Sequence, residues 1–199
     1  MGRYSEYFNN LWELKAKQTT IGIGLFGVLF ENKNPFTPGD QLEITEGADI
    51  ALSNLAKKGY DFVVFTGQPY SRTKDLEIDD FENILNATNQ LMQGVGARLK
   101  NAYYAPSTDK NDPYVKPNTG MFERASNEKM IDWSKSMFIG AEPVDTKIAQ
   151  KINTKSVILT SLNADYKFKS FEQRNRTTVQ TYSSFLEFAE KVENRLEKI

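Results

Sequence analysis

Four short apolar runs, separated by stretches of helical periodicity, constrain the architecture of this chain more than any other feature. They are "IGIGLFGVLF" at 21–30, "DFVVFTGQ" at 61–68, "SMFIGA" at 136–141 and "SVILT" at 156–160. Each is strand-sized, and near-continuous apolarity marks strands covered on both faces, as in a parallel sheet. "NAYYAP" at 101–106 is a further strand candidate. Between them, "ITEGADIALSNLAKKGY" has helical spacing and stops at Gly59, and a long helical stretch covers roughly residues 77–99. Further helices are expected from about Thr119 and from Asp145. A closing amphipathic helix lies in "YSSFLEFAEKVENRLEKI", with Phe185, Phe188 and Val192 on one side. Strands alternating with helices predict an α/β fold, a parallel sheet with helices on both faces.

The 199 residues fit one such domain, read as residues 20–199. Ahead of it, Tyr4, Phe8, Leu11 and Trp12 fall at helical spacing, so residues 1–19 are read as an extra N-terminal segment with an amphipathic helix over 3–16. That helix either packs on its own domain or docks a protein partner, since aromatic residues are favoured at interfaces. "FENKNPFTPGD", rich in Asn, Pro and Gly, reads as an exposed loop or flap.

Twenty-five basic residues against 26 acidic ones point to neither a nucleic-acid reader nor a basic membrane binder. Neither cysteine nor histidine occurs, which removes disulfides, thiolate nucleophiles, histidine acid–base catalysis and the usual zinc sites. Any metal would be a hard cation held by oxygen. The polar, aromatic N-terminus lacks the apolar run of a signal peptide, and Glu6 stands where a myristoylation motif wants Ser or Thr. No apolar run is long enough to span a membrane, and a cytoplasmic protein is the expectation.

Ligands of open parallel sheets bind at the carboxyl ends of the strands. There the chain reads "GLFGVL", "VVFTGQ", "YVKPNTGMFERA" and "FIGAEPVD", in that order. This order resembles the haloacid dehalogenase (HAD) superfamily of phosphatases. Within it, the spacing of Lys116-Pro117 and Gly120-Met121 is similar to the branch acting on heptose bisphosphates and histidinol phosphate. The resemblance runs from about Ile21 to Ser161 and implies a Rossmannoid sheet with a minimal cap. It also implies four loops: two aspartates in the first, one the nucleophile and one the acid and base, a Thr or Ser in the second, a lysine in the third, and carboxylates for Mg²⁺ in the fourth. An aspartyl-phosphate forms on the nucleophile, splitting one difficult step into two.

Laid on this chain, the nucleophile position is Gly24 and the acid–base position Phe26. Phe26 would put an aromatic ring where Mg²⁺ and phosphate should meet. The fourth loop has Ala141 in place of its leading aspartate and keeps Asp145, with Glu142 beside it expected to point elsewhere. Val115 replaces the branch's arginine, and "APSTDKNDPYV" replaces its zinc loop without a single Cys or His. What the resemblance leaves is a phosphate-binding relic of Thr66, Gln68 and Lys116, together with Asp145. Each residue also has a plainer reading: Thr66 as a strand end, Lys116 as a solvated lysine, Asp145 as a helix cap.

The expectation is therefore a pseudophosphatase, a phosphosugar-binding or regulatory protein that needs no cofactor, with Mg²⁺ relevant only to residual activity. The alternatives are an interaction scaffold working through residues 3–16, or an enzyme with chemistry relocated to Glu142, Asp145 or Asp109.

Overall fold

The computed structural model describes residues 20–31, 42–67, 78–105, 107, 109–160 and 179–196, with 78–80 and 193–196 as backbone only. The expected helix over 3–16, most of the "FENKNPFTPGD" loop and Gln68 lie outside these residues. Six strands form one sheet: β1 (Thr20–Gly24), β2 (Asp61–Thr66), β3 (Arg98–Tyr104), β4 (Met137–Gly140), β5 (Lys155–Leu159) and β6 (Val179–Tyr182). The helices are α1 (Ala48–Lys57), α2 (Ile78–Gly94), α3 (Gly120–Lys129), α4 (Pro143–Lys151) and α5 (Phe185–Leu196). Strand order is β3-β2-β1-β4-β5-β6 and every pairing is parallel, as the alternation predicts.

Side-chain alternation along the strands builds a core on each face. Ile21, Ile23, Phe62, Val64 and Ile139 point to one side, where Leu52 and Leu55 of α1, Ile84 and Met92 of α2 and Phe185 and Phe188 of α5 cover them. Val63, Phe65 and Phe138 point to the other and meet Met121 and Phe122 of α3, Ile148 of α4 and Trp133. On that second face Phe65 stacks on Phe122 with centroids 4.0 Å apart, and Phe138 meets Phe122 edge-on at 5.1 Å. The Trp133 indole donates to the Phe122 carbonyl at 3.1 Å, so its one polar atom is satisfied inside the cluster. This packing fixes α3 and α4 against the strands whose ends carry the candidate site.

Two boundaries and one strand differ from the sequence expectation. The helical stretch over 77–99 stops at Gly94, and its last residues open β3. Leu91, Val95 and Leu99 keep a four-residue apolar spacing across the break, which is why periodicity runs through it. The helix expected from Asp145 begins at Pro143, a residue pre-set for the first helical turn. β6 was not foreseen, because "VQTY" on the sheet edge has no apolar run.

α1 and α5 pack side by side, and Gly47, just before α1, lies at their contact with φ of 72°. A Cβ there would come within 2.9 Å of the Leu186 side chain. Gly47→Ala should combine left-handed strain with overpacking and lower unfolding free energy by about 1–3 kcal/mol. Urea denaturation of the variant checks this, and an unchanged midpoint would show that Leu186 gives way freely.

Candidate functional site

The carboxyl ends of β1, β2 and β4 lie side by side, with Gly24 opposite Phe65 and Ile23 opposite Ile139. After β1 the chain turns tightly. The Leu25 N–H donates to the Phe65 carbonyl at 3.1 Å, the Gly27 N–H to that of Phe30 at 2.7 Å, and the Leu29 and Phe30 N–H groups to that of Leu25 at 3.0 and 3.1 Å. A Cβ on Gly24 would meet nothing nearer than the Ile139 carbonyl oxygen at 3.6 Å, an ordinary contact. No steric demand holds a glycine there. The Phe26 ring is half-buried and packs against the apolar cluster of Ile23, Leu25 and Val28, so the core takes up part of its surface.

Lys116 arrives on the loop between β3 and α3. Asn118 ties that loop to itself, its side-chain amide donating to the Lys110 and Asp112 carbonyls at 3.0 and 2.8 Å. Tyr114 and Val115 pack against the second core cluster, so Val115 serves packing. Lys116 is no solvated lysine. Its Nζ lies 2.7 Å from Asp145 Oδ1 and 3.4 Å from Glu142 Oε2, and its side chain is only 11% exposed.

Asp145 is fixed more firmly still. Its side chain is 1% exposed, and Oδ2 accepts from the Ala141 and Glu142 backbone N–H groups at 3.1 and 3.0 Å. It is the third residue of α4 and closes the first turn back onto the N-cap, Glu142. Its carboxylate also lies directly over Gly140, where a Cβ would stand 2.6 Å from the Asp145 Cβ and Cγ. Only glycine permits that approach. Glu142, expected to point elsewhere, reaches Lys116 while remaining half exposed.

Thr66 is buried at the end of β2, and its hydroxyl donates to the Gly67 carbonyl at 2.8 Å. Its oxygen keeps accepting capacity, and donation to a ligand would require the rotor to turn.

Burial by itself would depress the Lys116 ammonium, but the combined attraction of Asp145 and Glu142 outweighs it and holds the lysine above its ordinary range. The cluster sets one positive charge against two negative ones. A Mg²⁺ ion would find no side-chain oxygen at Gly24, Phe26 or Ala141, and Asp145 is already engaged by Lys116 and two amides. Among the described residues no group of three or more acidic side chains could hold a metal. The donor set does not fit the ion the four-loop pattern implies. Nor does any helix of the described residues have the length and apolarity to cross a membrane.

Sequence reasoning placed Lys116 and Asp145 correctly at the strand ends without their contact. It missed Gly140 as the seat of the carboxylate and Glu142 as the lysine's second partner. Pro143 and Asp145, at the first and third positions of α4, were a readable capping signal. Nothing local marks Gly140.

A family model, Polynucleotide kinase 3 phosphatase, matches residues 44–193. That match opens after β1 and the turn carrying Gly24 and Phe26. The Histidine biosynthesis bifunctional protein HisB of Xanthomonas campestris pv. campestris (strain B100) is 26% identical over 115 residues, 57% of this chain and 31% of that protein. That of Xylella fastidiosa (strain 9a5c) is 27% identical over 116 residues, 57% of this chain and 31% of that protein. The chain thus spans about a third of the length of these curated relatives. The D,D-heptose 1,7-bisphosphate phosphatase of B. bronchiseptica, solved with magnesium and phosphate, superposes with a TM-score of 0.72 at 13% identity, covering 89% of this chain and 99% of that one. That of Burkholderia thailandensis gives 0.63 at 15% identity, covering 88% and 98%. The expected HAD-like fold and its resemblance to the heptose and histidinol phosphatase branch both stand.

Proposed function

The chain belongs to the polynucleotide kinase 3 phosphatase family, and from that premise we propose that it is a catalytically degenerate HAD-type phosphatase homologue, one that binds a phosphate-bearing ligand of the phosphosugar class without hydrolysing it. The observation that carries this reading is the end of β1. Gly24 and Phe26 stand where the resemblance expects the nucleophile and the acid–base group, in a turn whose backbone bonds are intact. A Cβ would meet only ordinary contacts at Gly24, so no clash at that atom accounts for the missing acid. Loss of a nucleophile alone costs on the order of 10⁶ in turnover in a well-studied hydrolase.

Lys116 supports retained binding, because a buried ammonium at the strand ends is a ready partner for a phosphoryl oxygen. Thr66 lies at the end of the neighbouring strand, and Gln68 follows it in sequence. With no carboxylate set to hold Mg²⁺ among the described residues, binding would be independent of the ion, and residues 20–199 would act in this as one unit.

Incubation of the purified protein with Mg²⁺ and heptose 1,7-bisphosphate, histidinol phosphate or a 3′-phosphorylated oligonucleotide should release no phosphate above background. Turnover at ordinary enzyme rates, roughly 1–10³ per second, on any of the three would sink the reading. The oligonucleotide belongs in the panel because of the family's name, although the near-balanced charge gives no electrostatic footprint for nucleic acid.

A further inference from the structure

The two carboxylates on Lys116 are held very differently, and this asymmetry bears on how the site would meet an anion. Asp145 is 1% exposed, 2.7 Å from the ammonium, and anchored by two backbone N–H groups. Glu142 is 50% exposed and lies 3.4 Å from the ammonium, and its side chain otherwise takes part only in the capping box at the start of α4 among the contacts described for it. A pair of this length at the surface is weak and screened by salt. Asp145 thus lies on the buried side of the ammonium and Glu142 on the side toward solvent.

We infer that Glu142 is a built-in competitor, its carboxylate occupying the approach to Lys116 that an incoming phosphoryl group would take, and so setting the anion affinity of the site. The inference rests on the proposed phosphate-binding reading. With Glu142 in place the cluster carries a net negative charge, and a phosphate must both displace a carboxylate and approach against it. Removing that charge leaves Lys116 and Asp145 balanced. The half-exposed side chain can swing away by giving up the long contact and its part in the capping box, whereas Asp145 cannot leave without losing two amides and the close ammonium. Glu142 therefore selects for ligands that bring more than one anionic oxygen or further contacts of their own, and against single weak anions.

Calorimetric titration of the full chain with inorganic phosphate at low salt, in the wild type, Glu142→Gln and Lys116→Met, tests this. Glu142→Gln keeps the backbone N–H that caps Asp145, so its fold is not at risk. The expected result is phosphate binding about fivefold tighter in Glu142→Gln than in the wild type and absent in Lys116→Met. Equal or weaker binding in Glu142→Gln, with binding still lost in Lys116→Met, overturns the role of Glu142 and leaves the pocket standing. Absence of phosphate binding in wild type and Glu142→Gln alike overturns both the pocket and the inference built on it.

Discussion

Replacing Lys116 by Met should destabilise the domain by about 3 kcal/mol, because it leaves the Asp145 carboxylate buried without its counter-charge. The argument turns on burial. Asp145 is 1% exposed, so water cannot take over the role of the ammonium 2.7 Å away. Its two backbone N–H partners remain and keep the cost at the lower end of the range for a broken buried pair. For a chain of this size the melting midpoint should fall by roughly 6–12 °C. A double-mutant cycle with Asp145→Asn isolates the pair from the packing of the lysine stem.

The same difference has a predictable pH dependence. Lys116 is held above its ordinary value by carboxylates that outweigh its burial, so its contribution is full below the unfolded lysine value of 10.5 and is lost as pH rises through the higher folded value. The gap between wild type and Lys116→Met should stay constant from neutral to mildly alkaline pH and close above that point. A midpoint shift under about 2 °C at neutral pH, corresponding to less than about 1 kcal/mol, would show that Lys116 is not a structural partner of Asp145.

How far the sequence could reach depends on where each feature is encoded. β2 and β4 were legible because "FVVF" and "MFIG" are apolar on both faces, a pattern set by burial alone. β6 was not, because an edge strand with half-exposed Thr181 and Tyr182 carries no such run. Lys116 and Asp145 were legible as positions in a spaced pattern. Their pairing joins residues 29 apart and depends on α4 packing beneath the loop, which no local signal encodes. Glu142 was misread for the same reason: its direction follows from its being the N-cap of α4, and the helix had been started two residues late. Phe26 was read only as a departure from the acid–base position, and its packing on the core could be seen only in three dimensions.

Two glycines at neighbouring strand ends should respond to the same substitution in opposite ways. Gly140→Ala would drive its methyl group into the Asp145 carboxylate, whose Cβ and Cγ lie 2.6 Å from where it would stand. Asp145 cannot yield without giving up the Ala141 and Glu142 amides and the Lys116 pair together. The variant should therefore lose about 3–5 kcal/mol, overpacking compounded by an orphaned lysine, and with it any phosphate affinity that depends on an ordered Lys116. Gly24→Ala adds a methyl 3.6 Å from its nearest neighbour and should leave stability within about 1 kcal/mol. Thermal unfolding of the two variants side by side makes the comparison, with phosphate titration as the second readout. A tolerated Gly140→Ala would mean that α4 can move and that Asp145 is not seated by the glycine. A severely destabilised Gly24→Ala would mean that the turn after β1 has closed over the nucleophile position. In that case the missing acid would reflect lost space as well as lost chemistry, and the pocket reading would lose its floor.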